Sequence, residues 1–91
     1  MPDDFLRQLL QTPGTSGAEQ QIQSVVRNFA SQFADHVTTD VHGSVHAVVN
    51  PTGSRTILLD AHCDQIGLIV RHIDSYGFLR VNAVGGWDMQ I

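Results

Sequence analysis

An α/β fold, with two N-terminal helices followed by about five strands, is what this 91-residue chain predicts. Two observations carry that reading. Apolar residues recur at helical spacing as far as Phe33, and from His36 onward they alternate with a period of two. His42-Gly43, Pro51-Thr52-Gly53-Ser54, a short loop at 63–66 and Ser75-Tyr76-Gly77 then separate the alternating runs, as turns between strands require. The length suits one small domain with a modest core, not two.

The first helix is "DDFLRQLLQ". Phe5, Leu6, Leu9 and Leu10 share one face, and Asp3 and Asp4 sit in the first turn, where the helix dipole favours anions. Pro13 and Gly14 end it. A second helix is announced by Ser16-Gly17-Ala18-Glu19, the pattern of a capping box with Ser16 as N-cap and Glu19 reaching back. Ile22, Val25, Val26, Phe29, Ala30 and Phe33 then form one apolar stripe, and His36 falls near the end, where a partial positive charge is tolerated.

Five strands are expected at "HVTTDV" (36–41), "SVHAVVN" (44–50), "RTILLDAH" (55–62), "GLIVRHID" (67–74) and "FLRVNAV" (78–84). The third and fourth are almost continuously apolar, the composition of central strands covered on both faces.

Composition excludes several functions. With a net charge of −4, five arginines and no lysine, nothing attracts a nucleic acid or an anionic membrane. A single cysteine, Cys63, rules out an internal disulfide and suits a reducing compartment. The acidic start lacks the pattern of a signal peptide, and no apolar run nears the ~20 residues that span a bilayer. A soluble cytoplasmic protein is expected. The last residues, "VGGWDMQI", stop on an apolar side chain just past a glycine turn, so a chain that continues elsewhere is expected.

Chemistry concentrates in "ILLDAHCDQIGLIV", residues 57–70. Here Asp60, His62 and Asp64 stand at every second position of the most apolar stretch. Burying such groups is costly without compensation, and a cation would supply it. On a strand the three share a side, ~6–7 Å from one to the next, with Leu59, Ala61 and Cys63 on the other. The imidazole of His62 can offer one nitrogen to a divalent metal while Asp64 accepts a hydrogen bond from the other. The carboxyl end of a strand is also where open α/β sheets place their sites. From the triplet alone two readings stand open: an ordinary His–Asp hydrogen bond, or a metal ligand with its orienting carboxylate.

Other residues read more plainly. His42 and His46 flank a glycine turn as surface hairpin residues. His72, alternating with Leu68 and Val70, is expected to pair with Asp74. Asp60 is either a secondary orienting group or solvated, and Cys63 is a small buried hydrophobe. Pro13–Gly17 lacks the lysine of a phosphate loop and reads as a helix–helix turn.

Three stretches taken together, Pro13-Gly14-Thr15-Ser16-Gly17 with Glu19, Ala61-His62-Cys63-Asp64-Gln65-Ile66-Gly67, and Gly85-Gly86-Trp87, resemble the N-terminal part of the M42 family of metallo-aminopeptidases. The resemblance spans nearly the whole chain. It implies the beginning of an α/β/α zinc-peptidase-like catalytic domain over residues 1–84. A β-rich dimerisation domain would begin at 85–91, where Trp87 would pack at the junction. It implies His62 as a ligand of one metal in a co-catalytic pair, zinc or cobalt, and Asp64 as the residue that orients it. Peptide substrates and a homo-oligomeric full-length protein follow from the same likeness. Gln65 departs from the family's glutamate and leaves the local charge one unit less negative. The remaining metal ligands lie beyond residue 91 in such a chain, so this piece is expected to be inactive alone. The alternative is a non-catalytic small α/β domain, a binding module or a relic.

Overall fold

The computed structural model describes residues 2–90. Two helices, α1 (Pro2–Gln11) and α2 (Gln20–Ala30), precede four strands: β1 (His36–Thr39), β2 (Val45–Val48), β3 (Gly67–Ile73) and β4 (Leu79–Val84). The α/β class and the order of helices before strands are as expected. β1 pairs with β2 and β3 with β4, both antiparallel, giving two separate two-stranded sheets. Turn chemistry explains both hairpins. Asp40 accepts backbone N–H bonds from His42 and Ser44, and Asp74 does the same for Tyr76 and Phe78. Gly43 and Gly77 take the positive φ that each turn needs.

Helix packing makes the core. The ring of Phe5 stacks on Phe29 at a centroid distance of 3.8 Å, and Phe33 meets Phe29 edge-on at 5.5 Å. Such pairs contribute about 0.5–1.5 kcal/mol beyond their buried area. Ile22 is 1% exposed and Ala30 5%. Ile22 lies against the turn after α1, where a Cβ on Gly14 would come within 2.8 Å of its Cγ2. Glycine is what lets the turn and α2 close on each other. The α2 side chain of Arg27 reaches β1 by donating two hydrogen bonds to Thr39 Oγ1.

One predicted strand is missing. Residues 56–64 run outside any sheet, and Ile57, Leu58 and Leu59 are 84–90% exposed. A continuous apolar run reports that a segment is suited to burial, but a strand exists only where a neighbour completes its ladder. The other four runs find partners next to them in sequence, and among the described residues no strand pairs with 56–64. The same reasoning corrects β3, whose residues are largely exposed and not covered on both faces. The outline is accordingly long, 61 × 25 × 24 Å, with a radius of gyration of 17.5 Å against about 12 Å for a compact chain of this length.

The β3–β4 register slips between Val70 and His72, leaving Arg71 as a bulge. Val70 pairs with Val81, but His72 pairs with Arg80. A bulge shifts the alternation by one, so His72 stands on the Arg80 side and no longer alternates with Leu68 and Val70. The expected His72–Asp74 pair does not form, and the Asp74 carboxylate is taken up by its own turn.

Gly67 starts β3 against the turn before α2. A Cβ there would lie 2.5 Å from Thr15 Cγ2 and 2.7 Å from its hydroxyl. Thr15 is β-branched, so it has little freedom to yield. Gly67→Ala should therefore destabilise the intact protein by about 1–3 kcal/mol, the usual cost of overpacking. Thermal unfolding reads this directly, and an unchanged midpoint would show that the contact gives way freely.

Candidate functional site

The turn between the helices and the segment before β3 are held together by backbone. Gln65 N–H donates to the Gly14 carbonyl at 2.8 Å, and Ser16 N–H donates to the Gln65 carbonyl at 3.1 Å. These bonds make a short parallel bridge between Thr15 and Gln65. By that pairing the Pro13–Gly17 turn is set directly beside Asp64, far away in sequence.

Side chains follow the backbone. The Ser16 hydroxyl donates to Asp64 Oδ2 at 2.6 Å. Asp64 Oδ1 meets His62 Nδ1 at 2.8 Å. Each carboxylate oxygen thus has its own donor, and the three residues form one chain of hydrogen bonds. The Ser16 hydroxyl first, and the His62 ring second, hold the Asp64 carboxyl below the usual carboxylate range. In the neutral ring with its proton on Nδ1, towards Asp64, Nε2 would keep its lone pair, and that nitrogen takes no partner among the described residues.

The expected sharing of a side by His62 and Asp64 is observed. Asp60, third in the alternation, is exposed and joins no hydrogen bond or ion pair among the described residues. Burial of the triplet is not observed: the side chains of His62 and Asp64 are 85% and 40% exposed. The cause is the uncovered segment 56–64, so the desolvation that a cation was expected to relieve is small here.

The capping box is corrected too. α2 begins at Gln20 with Glu19 as its cap residue and no side-chain cap bond. Glu19 does reach back, accepting the Gly17 N–H at 2.7 Å, but the Ser16 hydroxyl is drawn to Asp64. A charged acceptor makes the stronger bond. Cys63 is half-buried, and its thiol is pushed up chiefly by desolvation and further by the charges of Asp64 and Glu19. It is a thiol with no means of activation, as its sequence context suggested. His46 Nε2 pairs with Asp40 Oδ2 at 2.9 Å across the first hairpin, a surface role. Trp87 donates its indole N–H to the carbonyls of Gly67 and Val84, fixing the end of β4 to the start of β3.

Nothing local in the sequence marks Ser16 as a partner of Asp64. The pair is 48 residues apart, and the Ser-x-x-Glu spacing points to helix capping instead. Among the described residues, no group of three His, Cys, Asp or Glu side chains is placed to hold a metal ion. His62 fits one ligand position of such a centre, where a catalytic zinc needs three. An open cleft of about 460 Å³ lies on the β3–β4 hairpin, lined by Arg71, His72 and Arg80, and takes in neither His62 nor Asp64.

The family model for the M42 glutamyl aminopeptidases matches residues 43–91. The chain is 36% identical over 84 residues to the lysyl aminopeptidase of Pyrococcus furiosus, covering 91% of this chain and 24% of that protein. Its fold is similar to the crystal structure of a TET aminopeptidase from a marine-sediment archaeon of the Thaumarchaeota. That match has a TM-score of 0.87 at 31% identity and covers 96% of this chain and 24% of the other. The chain spans about a quarter of the length of the curated relatives it matches.

Proposed function

As this chain belongs to the M42 glutamyl aminopeptidase family, we propose that it is the N-terminal, metal-binding part of an enzyme that removes N-terminal residues from peptides. One observation carries the reading: the 2.8 Å contact between His62 Nδ1 and Asp64 Oδ1. An imidazole anchored at Nδ1 by a carboxylate has a fixed tautomer and ring plane. That is the preparation a metal-binding histidine needs, and an exposed ring of no function has no use for it.

The donor set fits a borderline-soft divalent ion such as zinc or cobalt. When bound, a pair of such ions would polarise the scissile carbonyl and lower the pKa of a water between them. The role of this chain is narrower. His62 Nε2 holds one ion, Asp64 sets the direction of the ring, and the segment 61–67 carries both at the mouth of β3. One ligand falls short of the three a catalytic zinc requires, so the others come from outside these residues and the 91-residue piece alone does not turn over peptides. The segment from Gly85 onward begins the dimerisation domain in this reading.

Metal removal tests the proposal. Dialysis of the intact protein against a chelator should abolish hydrolysis of peptides with a free N-terminus, and added zinc or cobalt should restore it. Full activity in a preparation shown to be metal-free would refute it.

A further inference from the structure

The hydrogen-bond chain does not stop at Asp64, and its third member has a position that the capping pattern does not explain. Ser16 lies in the turn between the helices, and both of its groups face the His62 segment. Its N–H is bonded to the Gln65 carbonyl at 3.1 Å and its hydroxyl to Asp64 Oδ2 at 2.6 Å. The contact is part-buried, whereas the His62–Asp64 contact is exposed. A carboxylate on a segment outside any sheet is free to rotate about χ2. With one oxygen taken by Ser16, the other faces His62.

We propose that Ser16 is a positioning residue of the metal site: its hydroxyl fixes the rotation of the Asp64 carboxylate, which in turn fixes the tautomer and plane of His62. The turn Pro13-Gly14-Thr15-Ser16-Gly17 is then part of the site's support and not only a helix connection. This rests on the reading of His62 as a ligand given above. Gly14 and Gly67 serve the same end, because side chains there would collide with Ile22 and Thr15 and push the turn away from residue 65. A surface serine capping a helix would tolerate alanine with a small loss of stability and no effect on the metal. A serine that orients the support of a ligand would not.

The test uses the intact protein, its Ser16→Ala and Ser16→Thr variants, and His62→Ala as reference. Zinc affinity is measured by competition with a chelator, and the ¹⁵N spectrum of the His62 ring is recorded without metal. Ser16→Ala should weaken zinc binding about 10-fold or more, within the range for loss of outer partners. It should also turn a single Nδ1-protonated form of His62 into a mixture of tautomers, while Ser16→Thr keeps the wild-type affinity within about threefold. Unchanged affinity and tautomer in Ser16→Ala, with His62→Ala still impaired, would overturn the role of Ser16 alone. Equal weakening by alanine and threonine would also overturn it, since the hydroxyl would then not be what matters. If His62→Ala binds zinc as well as the wild type, the ligand assignment itself falls.

Discussion

Replacing His62 by alanine in the intact protein should lower kcat/KM on peptides by at least about a thousandfold, and metal content should fall with it. The size follows from what is removed. A metal in a peptidase site supplies several kcal/mol of charge stabilisation in the transition state, and each ~1.4 kcal/mol is a factor of ten in rate. The side chain is 85% exposed and packs against little, so its loss should leave the fold intact. Circular dichroism and the unfolding midpoint should match the wild type while activity is lost. A variant that keeps its activity would show that His62 is a surface residue with a nearby aspartate.

Asp64→Asn should act on the same site more gently. The amide has one oxygen: where that oxygen accepts from His62 Nδ1, the side facing Ser16 becomes an NH2 donor, so the 2.6 Å bond from the Ser16 hydroxyl is lost, and the bond to His62 is no longer charge-assisted. A loss of about 10–100-fold in metal affinity is expected, the range for the outer partners of ligating histidines. Excess zinc should recover much of the activity in this variant and none in His62→Ala. Equal affinity of wild type and Asp64→Asn would mean that the 2.8 Å contact orients nothing of consequence.

What could be read from the residues, and what could not, divides along the range of the interaction. Both helices announce themselves through local spacing, as in Ile22, Val25, Val26 and Phe29. Both hairpins do so through alternation broken by Gly43 and Gly77. The pairing of His62 with Asp64 is equally local, two residues apart on an extended backbone. Three features were out of reach. The run at 55–62 is apolar enough for a central strand, but composition does not tell which neighbour will pair with it. The bulge at Arg71 moves His72 to the other side of its hairpin, and no residue type in "VRHID" signals a slip. Ser16 fits a helix-cap pattern, and only the parallel bridge between Thr15 and Gln65 brings it to Asp64. Long-range pairing decides the first and the third, and a slip within one hairpin decides the second.

The exposure of Ile57, Leu58 and Leu59 belongs with these findings. Three consecutive aliphatic side chains in water are unfavourable by roughly 25 cal/mol for each Å² left uncovered. They lie just upstream of Asp60-Ala61-His62, so whatever packs against them also bears on the position of the His62 ring. A charge introduced at Leu58 would test local burial in the intact protein, but His62 itself is the more direct object.

The most direct measurement is anomalous diffraction at the zinc edge from crystals of the intact protein. The expected result is a metal ion about 2.0–2.1 Å from Nε2 of His62, with Nδ1 still hydrogen-bonded to Asp64. A fully occupied metal site that His62 does not touch, or contact through Nδ1 with Asp64 turned away, would contradict the assignment of this segment.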